Sequence, residues 1–373
     1  MIKKILLFNA HPRALITQLR ELVLIDNIEI HLALHNKRFN HKIFLWSYSE
    51  TVKIHYFNQN ELIRFLFDLK KEIGGYTIFQ NGEGFLRLIL ENKNVLEQND
   101  IICDFADLKS YLTVSDKHSF SELCSDYQIK TPQVIAPELS KFSEKFVVKS
   151  KKMDLKTGVL KYPLLIENSK SFDKLIKLNI DIEKHFFQEY IHGQSFYYCA
   201  HYSTGIKKID FVQENLKQQP NGKSVIKAKK SFLDKIIVQK IDKIFFDLKW
   251  NGVMMVELKK CTKTNEYYAI ECNPRFWGPL QLASDNGVSF VKSILNIEQI
   301  QNTENKSIGY IWLTGYFQGL LFKIKTKTNF QTFTDNNKKL YYKDLWFRKD
   351  TMLFFIFEPF FILIDFFIKL RKN

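Results

Sequence analysis

The sequence predicts an α/β protein: an N-terminal parallel-sheet domain, then a second, α+β domain built on a long β-hairpin. Three observations carry this. In residues 1–110 short apolar runs alternate with helical patterns, the signature of βα repeats. In residues 251–279 two apolar runs flank a polar stretch, Cys261 to Glu266, as a hairpin with a longer loop does. The 373 residues are 45% hydrophobic, enough for two or three subdomains with buried cores.

The first domain opens on Ile5-Leu6-Leu7-Phe8, a continuous apolar run expected of a strand covered on both faces. Leu15 to Leu24 has helical spacing, and Ile28 to Leu34 and Val52 to Phe57 are the next strands. Glu61 to Ile73 reads as an amphipathic helix, Tyr76 to Phe79 as a strand, and Phe85 to Val95 as a helix. Asn81-Gly82-Glu83-Gly84 matches neither the dinucleotide fingerprint nor the phosphate loop. It reads as a simple turn or as a turn at the sheet's carboxyl edge, where a substrate can sit.

Further on, Ser115 or Asp116 can cap a helix running to about Tyr127, with Lys117 in its first turn. Phe146-Val147-Val148-Lys149 is a strand ending in a lysine. Residues 150–161 hold Lys151, Lys152, Lys156 and Lys161 around Gly158. Tyr162 to Glu167 and a helix near Ser171 to Leu178 follow. Pro220-Asn221-Gly222 marks a turn among lysines 217, 223, 227, 229 and 230, which either bind an anionic substrate group or are simply solvated. Ser231 to Leu248 is a helix with Leu233, Ile236, Ile237, Ile241, Ile244, Phe245 and Leu248 along one stripe.

If the hairpin turn centres on Thr264, Glu257 and Glu271 lie opposite each other. Opposed residues have Cβ atoms about 5 Å apart, so like charges there repel. That repulsion predicts that neutralising one costs no stability. Either both sit on a solvated face, or a divalent cation lies between them. Glu271 and Asn273 share a face of the strand, and few hard oxygen ligands suit Mg²⁺.

The string Glu271-Cys272-Asn273-Pro274-Arg275-Phe276-Trp277-Gly278 resembles the E-x-N-P-R-F signature of the ATP-grasp superfamily, in the branch of carbamoyl-phosphate synthase and related carboxylate–amine ligases. The resemblance spans roughly Lys117 to Phe290. It implies that Glu257, Glu271 and Asn273 hold Mg²⁺ (or Mn²⁺), that Arg275 steadies an acyl phosphate, and that Lys117 and Lys149 reach ATP phosphates. Phe186 to Phe196 is similar to the family's adenine hinge. By that likeness Tyr190 and Ile191 offer backbone groups to adenine, Gln188 or Glu189 accepts from its exocyclic amine, and Gln194 and Ser195 stand where the ribose is held. Residues 150–161 occupy the place of a glycine-rich phosphate lid but hold a single glycine, Gly158. The implied organisation is an N-terminal domain over 1–110 and an ATP-grasp domain over 111–300 with a lid subdomain at about 130–187. A C-terminal extension covers 301–373. The implied activity is ATP-dependent ligation of a small-molecule or glycan-linked carboxylate to an amine or other nucleophile, through an acyl phosphate. The alternatives are an ATP-binding regulatory protein of the same fold without turnover, or a basic nucleic-acid-binding protein.

The net charge of +15 permits nucleic acid, anionic lipid or phosphate-bearing partners. The basic residues are scattered with no arginine run, which counts against nucleic acid. Five cysteines without C-x-x-C spacing argue against a disulfide framework or zinc site, and for a reducing cytosol. MIKKILLFNAHPR reads as a buried strand, not a signal peptide. Met352 to Leu370 is nearly all apolar, but Glu358, Pro359 and Asp365 interrupt it. Wound as a helix, it aligns Glu358, Asp365, Lys369 and Lys372 on one stripe. Such a helix packs on its own protein or lies peripherally in a membrane interface, through residues 352–372.

Overall fold

The computed structural model describes residues 2–9, 11–35, 43–79, 82–136, 142–150, 163–178, 180–299, 308–333 and 340–371. Three sheets carry the chain. The first is parallel throughout, in the order β3-β2-β1-β4-β5, from β1 (Lys3–Phe8), β2 (Ile28–Leu34), β3 (Val52–Tyr56), β4 (Tyr76–Ile78) and β5 (Ile101–Ile102). Alternation along β1 explains its unbroken apolar run. Ile5 and Leu7 face the helix Pro12–Leu22, whereas Leu6 and Phe8 face the helices Leu62–Ile73 and Glu83–Glu91. The helix expected over Phe85 to Val95 is two helices, Glu83–Glu91 and Lys93–Glu97. Asn92 between them leaves helical geometry (φ −112°, ψ 9°), and its side-chain amide donates to the Leu88 carbonyl at 2.9 Å.

The second sheet is small and antiparallel, in the order β6-β9-β7-β8, from β6 (Val134–Ile135), β7 (Phe146–Ser150), β8 (Leu164–Ile166) and β9 (His185–Glu189). Its own core is Phe146, Val148, Ile166, Phe172, Leu175 and Phe187. The lysines expected to cover phosphates at 151, 152, 156 and 161, with Gly158, lie outside the described residues.

The third sheet has eight strands: β10 (Gly193–Ser203), β11 (Ile206–Gln218), β12 (Val225–Lys230), β13 (Gly252–Cys261), β14 (Tyr267–Asn273), β15 (Ile308–Ile311), β16 (Gln331–Thr332) and β17 (Tyr341–Asp344). Seven run in the order β14-β13-β10-β11-β12-β15-β17, and β16 pairs with β11. Phe196, Tyr198 and Ala200 of β10 face the helix Lys235–Asp247, while Tyr197 and Cys199 face the core shared with β1 and the helix Pro12–Leu22. Three strands from beyond residue 300, β15, β16 and β17, thus complete the sheet that carries the hairpin. The last helix, Met352–Arg371, seats Phe354 against Phe44 and Trp346, with ring centroids 5.3 and 4.8 Å apart. Glu358 turns inward and accepts a hydrogen bond from the Thr314 hydroxyl.

Candidate active site

The site lies where β13 and β14 pair. Their register sets Glu257 opposite Glu271, with a bulge directly after Glu257. The two carboxylates divide the repulsion unequally. Burial first, then the neighbouring Glu271, pushes the Glu257 carboxyl up to about 7. Burial also opposes charge on Glu271, but Lys117 and Lys149 outweigh it and hold that carboxyl down to about 2. Lys117 reaches Glu271 Oε2 at 3.1 Å, and Asn273 Nδ2 donates to its other oxygen at 2.9 Å. The expectation that neutralising Glu271 is free of cost is therefore corrected, because that change leaves two cations without their counter-charge.

Local structure aims each cation. Asp116 caps the helix Lys117–Asp126, accepting from the backbone N–H groups of His118 and Ser119 at 3.1 and 2.9 Å. That fixes Lys117 at the first helical position, facing β14. Lys149, at the end of β7, is only 5% exposed and donates to the Ile270 carbonyl at 3.4 Å. Burial, then the like charge of Lys117, pushes its ammonium down to about 8. Pro274 ends β14, and Arg275 folds back so that Nη2 donates to Asn273 Oδ1 at 3.1 Å. Its Nε meets Glu83 Oε1 at 2.8 Å.

The hinge segment joins β9 to β10. Gln188 pairs with Val147 and shares the face of Lys149; its Nε2 donates to the Pro132 carbonyl, leaving its buried Oε1 without a partner among the described residues. Strand alternation puts Glu189 on the opposite face, where its carboxylate accepts from the Gln133 N–H at 3.0 Å. Of the two residues expected to meet an exocyclic amine, the structure leaves Gln188 available and withdraws Glu189. Ile191 turns its carbonyl to Lys259 Nζ at 3.1 Å, and that ammonium also lies 4.3 Å from the Tyr190 ring centroid. Gln194 and Ser195 part in the same way. Gln194 falls on the face of Phe196 and Tyr198 and donates to the Asn215 carbonyl. Ser195 falls on the carboxylate face and donates to Glu257 Oε1 at 3.4 Å.

Several site residues escaped the sequence reading. Lys259 stands two positions after Glu257 on one strand, so alternation alone was enough to place it on the same face. Glu83 sat in the glycine-bearing turn and is now the partner of Arg275. Gln213 donates to Asn215 Oδ1 at 2.7 Å, and Asn215 donates to Ser195 Oγ at 2.8 Å, a relay that reaches Glu257. Nothing local marks these amides, because the pairing of β11 with β10 assembles them. His11, at the carboxyl end of β1, is held well below the ordinary imidazole range by burial, then by Arg13 and Arg275. Of the lysines around the 220–222 turn, Lys217, Lys223 and Lys227 lie over aromatic rings, and Lys229 pairs with Glu214 at 3.5 Å. Lys217 lies 4.5 Å from the Tyr316 ring centroid and Lys227 lies 4.0 Å from that of Tyr342.

No family model matches the sequence, and no curated protein matches it. Solved structures do match its fold. The biotin carboxylase domain of Hydrogenobacter thermophilus 2-oxoglutarate carboxylase, solved with MgADP, ADP and bicarbonate, is 15% identical over 81% of this chain and 71% of its own, with a TM-score of 0.59. An ADP complex of N5-carboxyaminoimidazole ribonucleotide synthetase is 13% identical over 87% of this chain and 85% of its own, at 0.62. An L-amino acid ligase from Bacillus licheniformis is 11% identical over 79% and 73%, at 0.55. All three are ATP-grasp proteins, and the shared architecture is the α/β one expected above.

Proposed function

From the ATP-grasp fold of this chain, we propose that it is an ATP-dependent carboxylate–amine ligase working through an acyl phosphate. The observation that carries this reading is the opposed pair Glu257 and Glu271 ringed by Lys117, Lys149, Lys259 and Arg275. Burial and the neighbouring Glu271 still hold the Glu257 carboxyl up to about 7 despite those lysines, and hard oxygens from Glu257, Glu271 and Asn273 would suit Mg²⁺ or Mn²⁺. A bound metal of that kind neutralises and orients a transferring phosphoryl group.

The chain's own groups do the rest. Lys149 and Lys117, both cations on the carboxylate face, follow the phosphate oxygens. The Oε1 of Gln188 accepts from an adenine amine, and the 190–191 backbone lies beside it. The γ-phosphoryl passes to the substrate carboxylate, ADP leaves, and Arg275 balances the acyl phosphate oxygens. An amine then attacks the acyl carbon, the C–O bond to phosphate breaks, and phosphate departs as the amide forms. The substrates are small-molecule or glycan-linked carboxylates and amines.

The test is phosphate release from ATP with Mg²⁺ and pools of carboxylates and amino acids. Release should need ATP, metal and an acceptor pool, and Glu271→Gln should lose most of it. Full activity in that variant, or no release with any pool, contradicts the reading.

A further inference from the structure

Outside the cleft, the strongest unexplained feature is the terminal helix, Met352–Arg371. We propose that its outward face seats the protein on an anionic lipid surface.

A helix on the outside of a protein turns its polar residues to water and its apolar stripe to the core. This one is apolar on both its inward and its outward face. Phe354 and Phe361 pack inward, and Glu358 turns inward to Thr314. Leu353, Ile356, Phe357, Phe360, Ile364, Phe367 and Ile368 remain exposed, Phe360 at 60% and Phe367 at 58%. Their steps of three and four residues gather them into one stripe, about 23 Å long at 1.5 Å per residue. Asp365 falls on the stripe of Glu358, away from that row. Phe347, just before the helix, is also exposed and packs on Phe355 at 5.2 Å between centroids.

Charge says what covers the row. Exposed Lys323, Lys325 and Lys327 stand at the end of the neighbouring helix Leu313–Thr326, and exposed Lys349 precedes the terminal helix. Lys369, Arg371 and Lys372 follow in the sequence, and the whole chain carries +15. An apolar row beside lysines fits acyl chains under anionic headgroups. No helix among the described residues is long and apolar enough to cross a membrane, so the contact is one of lying on the surface. This inference is independent of the ligase reading.

The experiment is co-sedimentation of the full chain with vesicles of phosphatidylcholine alone, or of equal parts phosphatidylcholine and phosphatidylglycerol, at low and high salt. The protein should pellet with the anionic vesicles, less so at high salt, and little with the neutral ones. The double variant Phe360→Glu/Ile364→Glu should bind about tenfold more weakly or worse, with unchanged melting and ATP affinity. The milder Ile364→Ser guards against a folding defect and should weaken binding in the same direction. Wild-type protein left in the supernatant with both vesicles overturns the proposal, as does equal pelleting of wild type and a folded double variant. A wild-type dimer that the double variant dissolves, with no vesicle binding, also overturns it and assigns the face to a second copy.

Discussion

Glu257→Gln isolates the electrostatic centre of the site. The Glu257 carboxyl titrates at about 7 in the fold, against 4.5 for a free glutamate. The folded state therefore binds more protons than the unfolded chain between those values. Its contribution to stability is complete below about pH 4.5 and is lost as pH rises through about 7. At about 1.4 kcal/mol per pH unit, the gap amounts to about 3 kcal/mol. Glu271 works in the opposite sense, losing its contribution only as pH falls toward about 2, and so stays constant over the same range. Glutamine is nearly isosteric with the protonated acid, so at pH 5 wild type should trail the variant by less than about 1 kcal/mol. At pH 8 the variant should be more stable by about 3 kcal/mol. Urea unfolding of both proteins at both pH values measures this, and the comparison cancels groups that titrate there away from Glu257, Glu358 among them. Saturating Mg²⁺ and ATP analogue should shrink the difference, because cation binding ionises Glu257 in the folded state. The same stability difference at pH 5 and pH 8 refutes the argument.

Three other substitutions have expected outcomes. Lys149→Ala should weaken ATP binding at least about tenfold by calorimetry and lower stability by about 1–3 kcal/mol, since this lysine is buried beside Glu271 and not on the surface. Arg20→Ala should cost about 3 kcal/mol in urea unfolding, because it breaks hydrogen bonds to Asp350 at 2.8 Å, Gln281 at 2.7 Å and Thr351 at 2.8 Å and leaves the Asp350 carboxylate with the Tyr48 hydroxyl but no counter-charge. Gly193→Ala should cost about 1–3 kcal/mol or more, measured the same way, since its Cβ would stand 1.9 Å from the Lys260 carbonyl oxygen and force β10 and β13 apart.

What the sequence disclosed follows from the range of the forces involved. Strand and helix periods are local, so β2 ends where its apolar run does and the Asp116 cap is legible from two residues. The Glu257–Glu271 pairing was also legible, because a hairpin is the one sheet contact that near neighbours dictate. The Gln213–Asn215–Ser195 relay and the Arg275–Glu83 pair needed strands and helices far apart in sequence to meet, and no local pattern announces that. Glu189 and Gln194 turn to the face away from the carboxylates for a smaller reason. Each neighbours a residue that does face the site, and one step along a strand reverses the face. The terminal helix showed its stripes in the sequence, but only packing against Phe44, Trp346 and Thr314 showed which stripe is turned inward.

The central claim, that Mg²⁺ and nucleotide meet at Glu257 and Glu271, is tested most directly by calorimetric titration with a non-hydrolysable ATP analogue. Wild type and Glu271→Gln would each be titrated with and without Mg²⁺. The account predicts binding to wild type that Mg²⁺ strengthens about tenfold or more, and binding to the variant that Mg²⁺ leaves unchanged. No binding by folded wild type, or the same response to Mg²⁺ in both proteins, would contradict it.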